Sequence, residues 1–102
     1  MEDDLMIPTD QPADEEVEEL PIQVLFLTNS MKIVSQIDEV LAYIGQPDCK
    51  LINPCVIDND GKITKWMSTL TNNTEMFISS DKILTLVDPN QKLLNDYLKI
   101  IQ

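Results

Sequence analysis

Histidine and arginine are both missing from the 102 residues of this sequence. Without histidine the chain lacks the commonest general base and the commonest metal ligand. Without arginine it has no rigid two-pronged donor for a phosphate or a guanine. Gly45 and Gly61 are the only glycines, so a glycine-rich phosphate loop is excluded. These absences predict a protein that is not an enzyme and that holds no metal and no cofactor.

Cysteines and long apolar runs are also scarce. Cys49 and Cys55 are six residues apart and match neither a disulfide framework nor a zinc site. We therefore expect reduced thiols and a cytoplasmic location. No run approaches the roughly 18 apolar residues of a membrane span, and no secretory signal is recognisable, so we expect no membrane partner.

Acidic residues are concentrated at the beginning of the chain. Residues 1–21 hold nine acidic residues, three prolines and no basic residue, whereas residues 22–102 hold nine acidic residues and seven lysines. The first segment contains too little apolar surface to offset the entropy of ordering it. We expect an acidic, largely disordered tail over 1–21 that keeps the protein soluble. A mimic of nucleic acid that covers a basic surface is the alternative.

Residues 22–89 alternate between strand-forming runs and turn residues. Strands are predicted at 21–29, 31–40, 50–58, 62–70 (continuing at 75–79) and 82–87. Pro54 lies inside the third strand and requires an edge position or a bulge there. Trp66 is interpreted as a core or subunit-interface residue. The fold class that follows is mostly β: a small, five-stranded, strongly bent antiparallel barrel over 22–89.

The end of the chain has the pattern of an amphipathic helix. Asp88 is the predicted N-cap, with Pro89 at the first helical position and Gln91 completing a capping box. One predicted helical face carries the apolar residues Leu93, Leu94, Tyr97, Leu98 and Ile101. We expect residues 90–102 to pack this face on the barrel. The alternative is that it docks against another subunit.

Two segments resemble conserved motifs of the Sm-like proteins, most closely the bacterial RNA-chaperone branch. The stretch FLTNSMKIVSQI (26–37) is similar to the first motif, with Asn29 in place and with serines at both glycine positions. The stretch FISSDKILTLVDP (77–89) resembles the second motif, with Ile83, Leu86 and Pro89 at the family's spacing. The resemblance implies that Ser79–Lys82 is a tight link between the fourth and fifth strands and not a hairpin tip.

The same resemblance implies a ring of identical subunits that binds single-stranded RNA or DNA. Neighbouring subunits would pair the fourth strand of one copy with the fifth strand of the next. The residues that it assigns to nucleic-acid binding are Asn53, Ser79, Ser80, Asp81 and Lys82, and the candidate site also includes Lys50 and Tyr43.

Each of these site assignments has a plainer alternative. The side-chain amide of Asn53 could hydrogen-bond a base edge, or it could stabilise a turn beside Pro54. Lys82 fits a phosphate contact or a solvated lysine at a strand end. Tyr43 fits a stacking platform or a partly buried residue of the barrel rim.

Two functions of different classes remain open from the sequence. The first is a ring that binds nucleic acid, in processing or chaperoning of RNA or DNA. The second is a structural or adaptor homo-oligomer without nucleic acid, which the acidic balance and the missing arginines favour.

Overall fold

A computed structural model describes residues 20–102, and every structural statement below concerns that range. Apart from Leu20 and Pro21, the predicted acidic tail lies outside the described residues.

The described chain forms six antiparallel strands and a C-terminal helix. The elements are β1 (Ile22–Leu27), β2 (Lys32–Glu39), β3 (Cys49–Ile57), β4 (Ile63–Lys65), β5 (Glu75–Ile78), β6 (Ile83–Val87) and α1 (Gln91–Ile101). The strand order is β4-β3-β2-β1-β6, and β5 also pairs with β3. The prediction of a mostly β, antiparallel fold with a terminal helix is confirmed. The sheet has six strands instead of five, and no pairing joins β5 to β6 to close it.

The additional strand arises because the predicted fourth strand is interrupted. Only Ile63–Lys65 of the predicted run 62–70 is extended, and Met67 takes up a left-handed conformation with φ 60°. The carbonyl of Met67 accepts hydrogen bonds from the N–H groups of Leu70 and Thr71, which makes a turn where a strand was expected. Both parts of the interrupted strand still pair with β3. Strand β4 pairs with the second half of β3, and β5 pairs with the first half of β3.

Strand β3 changes face at Asn53. In a regular strand, odd-numbered residues share one face. Cys49 and Leu51 nevertheless belong to one buried cluster and Cys55 to another. Asn53 has a left-handed φ of 55°, and the β2–β3 register shifts opposite it. The bulge predicted from Pro54 is therefore confirmed, and it lets one strand supply two cores.

The two cores lie on opposite faces of the sheet. The first consists of Leu25, Leu27, Ile33, Ile37, Cys49 and Leu51, and Trp66 packs against it, in agreement with its interpretation as a core residue. The second consists of Val34, Cys55 and Tyr97 with Leu93, Ile100 and Ile101 of the helix around them.

Helix α1 covers the second core through a slightly different face from the predicted one. Its N-cap is Asn90, whose side-chain oxygen accepts a 2.9 Å hydrogen bond from the N–H of Leu93. The prediction of Asp88 as the N-cap was wrong, because the Asp88 carboxylate accepts a 2.6 Å hydrogen bond from Gln23 Nε2 instead. Leu98, expected on the packed face, is exposed.

The outer strands β5 and β6 lie at opposite ends of the strand order but are separated by only four residues. Four strand spacings of about 4.8 Å amount to roughly 19 Å, and the 3-10 turn shortens the link further. The sheet must therefore curl so that its ends approach each other. Among the described residues, no helix has the length and apolarity needed to cross a membrane.

Candidate functional site

The link between β5 and β6 is the centre of the candidate site. Ser80–Lys82 form one turn of 3-10 helix, with Lys82 N–H donating to the Ser79 carbonyl at 3.0 Å. The Lys82 carbonyl accepts a 2.9 Å hydrogen bond from the N–H of Thr28. Because β5 and β6 pair with different strands, this link is not a hairpin turn, in agreement with the sequence prediction.

Asp48 fastens the loop before β3 to this link. Its Oδ1 accepts a 2.7 Å hydrogen bond from the Ser80 N–H, and its Oδ2 accepts a 2.8 Å bond from the Ser80 hydroxyl. The Ser80 hydroxyl, and next its N–H, hold the pKa of the Asp48 carboxyl below its ordinary value. Sequence reasoning missed Asp48, because its partner lies 32 residues further along the chain and no short motif joins them.

Asn53 does not join the link residues. Its N–H donates a 2.7 Å hydrogen bond to the Thr74 carbonyl, just before β5 begins. The last residue of β5, Ile78, pairs with Cys49 at the other end of the same strand pair. Asn53 therefore lies at the opposite end of β5 from Ser79–Lys82, beside a separate cavity of about 240 Å³.

Lys50 lies between these two positions and is partly neutralised. Its Nζ is 3.7 Å from Glu75 Oε1, and a quarter of its side chain is exposed (26%). It stands opposite Asp38 on β2 and Phe77 on β5. The lysine can reach a phosphate only by giving up or sharing its carboxylate partner.

Tyr43 lies in the exposed loop that joins β2 to β3. The loop is closed at its base by a 3.0 Å hydrogen bond from Val40 N–H to the Asp48 carbonyl. Tyr43 is 88% exposed, and Leu41 and Ile44 are fully exposed. The aromatic ring is therefore free to stack, and the loop that carries it is attached to the link through Asp48.

The charged residues around the link are of both signs. Asp81 and Lys82 are exposed, and Ser79 is half-buried. Asp48 adds a carboxylate that is already hydrogen-bonded. The structure thus brings Ser79, Ser80, Asp81 and Lys82 together with the base of the Tyr43 loop.

A groove of about 900 Å³ opens beside the link, between β6 and the end of β2. Its walls include Pro21, Ile37 and Leu84, with Glu39 among its polar residues. Cys49 also lines the groove, and burial, followed by the charges of Asp48 and Glu39, raises the pKa of its thiol. A thiol with a raised pKa stays protonated at neutral pH and is a poor nucleophile.

Within residues 20–102, no group of three or more Cys, Asp and Glu side chains is placed to hold a metal ion. The link and the Tyr43 loop offer groups for non-covalent contacts: the exposed ring of Tyr43 for stacking, the serines for hydrogen bonds, and the exposed ammonium group of Lys82 for an anion.

Comparison with known proteins gives a family but no function. No curated protein matches the chain. One family model matches residues 20–102, which is the whole of the described range. The chain therefore belongs to this family, whose description is "Family of unknown function (DUF6561)".

Proposed function

We propose that the protein is a non-enzymatic, Sm-like homo-oligomer whose subunits form a closed ring and bind single-stranded nucleic acid, RNA foremost. In the ring, β5 of one copy pairs with β6 of the next, as the sequence resemblance implies. The observation that carries the nucleic-acid part is the double hydrogen bond from Ser80 to Asp48, because it joins the loop and the link between which Sm-like rings take bases.

The case for self-assembly rests on two free strand edges. Among the described strands β5 pairs only with β3, and β6 pairs only with β1. Both carry exposed apolar side chains: Phe77 is 55% exposed on β5, and Leu84 is 64% exposed on β6. Open apolar edges lead to aggregation unless something covers them. Pairing between identical copies covers both edges at once, and a closing rotation stops growth at a fixed number of subunits.

The strand order supports the same assembly. The first strand pairs with the last one, and the link between the last two strands is too short to cross a flat sheet. We propose that the curled sheet is an incompletely closed barrel, and that the neighbour's β5 continues the sheet beyond β6.

The binding residues proposed at the ring face are those near the link. Tyr43 stacks on a base, Lys82 meets a phosphate as a point charge, and Ser79 offers a hydroxyl. Lys50 contributes once it shares its charge between Glu75 and a phosphate. Each subunit supplies few cations, so binding is weak per site and sensitive to salt, and repetition around the ring strengthens it.

The test has two steps. Size-exclusion chromatography with light scattering, at tens of micromolar protein, gives one mass that is a fixed multiple of the 11.6 kDa chain. A labelled single-stranded uridine oligonucleotide is then titrated at about 50 mM and about 200 mM salt, and its affinity falls with salt. A monomer at the first step contradicts the whole proposal.

A second candidate is an adaptor oligomer that binds no nucleic acid. The carboxylates around the link favour it, since Asp48 and Asp81 lie there and Glu75 partly neutralises Lys50. The two candidates differ at the second step of the test. An oligomer that leaves the oligonucleotide free at about 50 mM salt is the adaptor.

A further inference from the structure

The link between β5 and β6 is attached to the rest of the described chain at both ends. At its end, the Lys82 carbonyl accepts the Thr28 N–H at 2.9 Å. At its start, Ser80 donates its N–H and its hydroxyl to the two oxygens of Asp48. One attachment is a backbone bond, which a substitution cannot easily change. The other depends on a single carboxylate.

Asp48 is placed to set the direction of the link. It immediately precedes Cys49, which pairs with Ile78, the last residue of β5. Its side chain therefore reaches past the end of β5 and holds Ser80, the second residue after that strand. A carboxylate that accepts two hydrogen bonds, one on each oxygen, fixes an orientation as well as a distance.

The bond is not required to satisfy a buried group. Ser80 is exposed, so water can replace both hydrogen bonds when Asp48 is removed. The contribution of Asp48 to the folding of one subunit is therefore small. What changes on its removal is the direction in which the chain leaves β5 and enters β6.

We infer that Asp48 is a positioning residue for assembly: it holds the free edges of β5 and β6 at the angle that closes the ring. The inference rests on the proposed function, because it presupposes pairing of β5 with β6 between copies. Ring closure depends on the rotation between neighbours, so a change of angle at the link alters the subunit number or weakens the ring. The lowered pKa of Asp48 is in line with this role, because the carboxylate stays ionised at neutral pH.

Two variants separate the geometry of the bond from its charge. Asp48→Ala removes both hydrogen bonds. Asp48→Asn removes the charge but can keep both contacts, since its carbonyl oxygen accepts from the Ser80 N–H and its amide donates to the Ser80 hydroxyl oxygen. Ser80→Ala removes only the hydroxyl bond.

The experiment measures subunit number by native mass spectrometry and the midpoint of dissociation by light scattering over a dilution series. For Asp48→Ala we expect a changed or mixed subunit number, or a midpoint concentration about tenfold higher, because a link that is no longer fixed must be ordered each time two neighbours pair. Asp48→Asn should keep the subunit number of the unmutated protein. The dissociation midpoint of Ser80→Ala should lie between those of Asp48→Asn and Asp48→Ala. Circular dichroism spectra stay the same for all three variants.

The inference is overturned if Asp48→Ala is folded and assembles with the same subunit number and midpoint as the unmutated protein. Should Asp48→Ala fail to fold, Ser80→Ala decides: an unchanged midpoint in that variant overturns the inference as well. In both cases the unmutated ring persists, so the proposed function survives. A monomeric unmutated protein overturns the proposed function and this inference together.

Discussion

The Tyr97 hydroxyl donates a 3.0 Å hydrogen bond to the carbonyl of Ile52, so helix α1 is bonded directly into the sheet. The same hydroxyl accepts a 3.1 Å hydrogen bond from the N–H of Gln36. Gln36 and Ile52 are partners at the register shift between β2 and β3. Tyr97 is completely buried, and its oxygen accepts from Gln36 and joins the Ser35 hydroxyl in donating to the Ile52 carbonyl at this irregular point of the ladder.

Replacing Tyr97 with Phe should therefore destabilise the fold. The phenyl ring would still fill the second core, but the Gln36 N–H would lose this partner and the Ile52 carbonyl would keep only the Ser35 hydroxyl, which donates to it at 3.1 Å. The expected loss is about 1–3 kcal/mol in the free energy of unfolding, measured by urea denaturation with circular dichroism.

Tyr43→Phe is the matched control, because Tyr43 is 88% exposed and makes no side-chain hydrogen bond among the described residues. The free energy of unfolding of the Tyr43→Phe variant should therefore equal that of the unmutated protein. Equal midpoints for the two variants would contradict the proposed role of the Tyr97 hydroxyl.

The sequence predicts the packing of Tyr97 but not its hydrogen bonds. A period of 3.6 residues places Tyr97 on the apolar face of the helix, whatever the rest of the fold does. The partners of its hydroxyl are 45 and 61 residues away, and their positions depend on a bulge that the pattern of β2 does not reveal. Most strands and the helix were predictable because their signals are local, whereas the turn at Met67 and the N-cap at Asn90 were not predicted.

The same distinction holds for the candidate site. The link Ser79–Lys82 could be located from local pattern and family resemblance. Its bond to Asp48 could not, because only the curled sheet brings the two segments together. Asn53 was assigned to the site through the resemblance to the Sm-like proteins, whereas the structure shows its left-handed backbone turning β3 from one core to the other.

The backbone of Asn53 leads to a second prediction. A β-branched residue is strained at φ 55°, so Asn53→Val should lower the free energy of unfolding by about 1–2 kcal/mol. Asn53→Gly, which accepts this conformation, should be close to neutral. Urea denaturation of the two variants measures the difference. Because Asn53 lies away from the link, the glycine variant should also bind the oligonucleotide as the unmutated protein does. A weaker affinity in a fully stable Asn53→Gly variant would place Asn53 in the binding site after all.

Stability should fall in alkaline solution. Burial raises the pKa of Cys49 and of Cys55 above the ordinary value of 9.0, and that of Tyr97 above 10.0. All three groups stay protonated in the folded state at a pH where the unfolded chain has released those protons. The folded state then binds more protons than the unfolded state, so the free energy of unfolding decreases as the pH rises above about 9.

Urea denaturation at about pH 7, 9 and 10.5 checks this dependence. The decrease should be smaller in Tyr97→Phe, which has lost one of the three groups. At the acidic end the sign reverses: the pKa of Asp48 is lowered from 3.8, so its contribution is present above that value and is lost as the pH falls below it. A stability that stays constant up to pH 10.5 would contradict the burial of these three groups.

Lys82 should carry part of the nucleic-acid affinity. If its ammonium group meets one phosphate per subunit, Lys82→Gln weakens binding of the uridine oligonucleotide and lowers the slope of log affinity against log salt by about one per site. Lys99→Gln is the control, since it removes the same charge from an exposed position in the last turn of α1. Fluorescence anisotropy at several salt concentrations gives both slopes. Equal slopes for the two variants would assign the affinity to net charge alone and leave no role for the link.

The free edge of β6 provides the most direct test of the ring. Leu84 is the one residue within Ile83–Val87 that has no partner in β1, because the register shifts there. Proline at this position therefore leaves the paired residues of β1 and β6 in place. A proline has no backbone N–H to donate to the neighbour's β5, and its pyrrolidine ring obstructs regular pairing along the strand. The Leu84→Pro variant should be a folded monomer by light scattering and circular dichroism.

Leu84→Ala keeps the N–H and removes most of the apolar side chain, so it should weaken the ring less than the proline does. If Leu84→Pro keeps the full oligomeric mass while remaining folded, subunits do not meet through the edge of β6, and the strand-pairing basis of the proposed ring is lost.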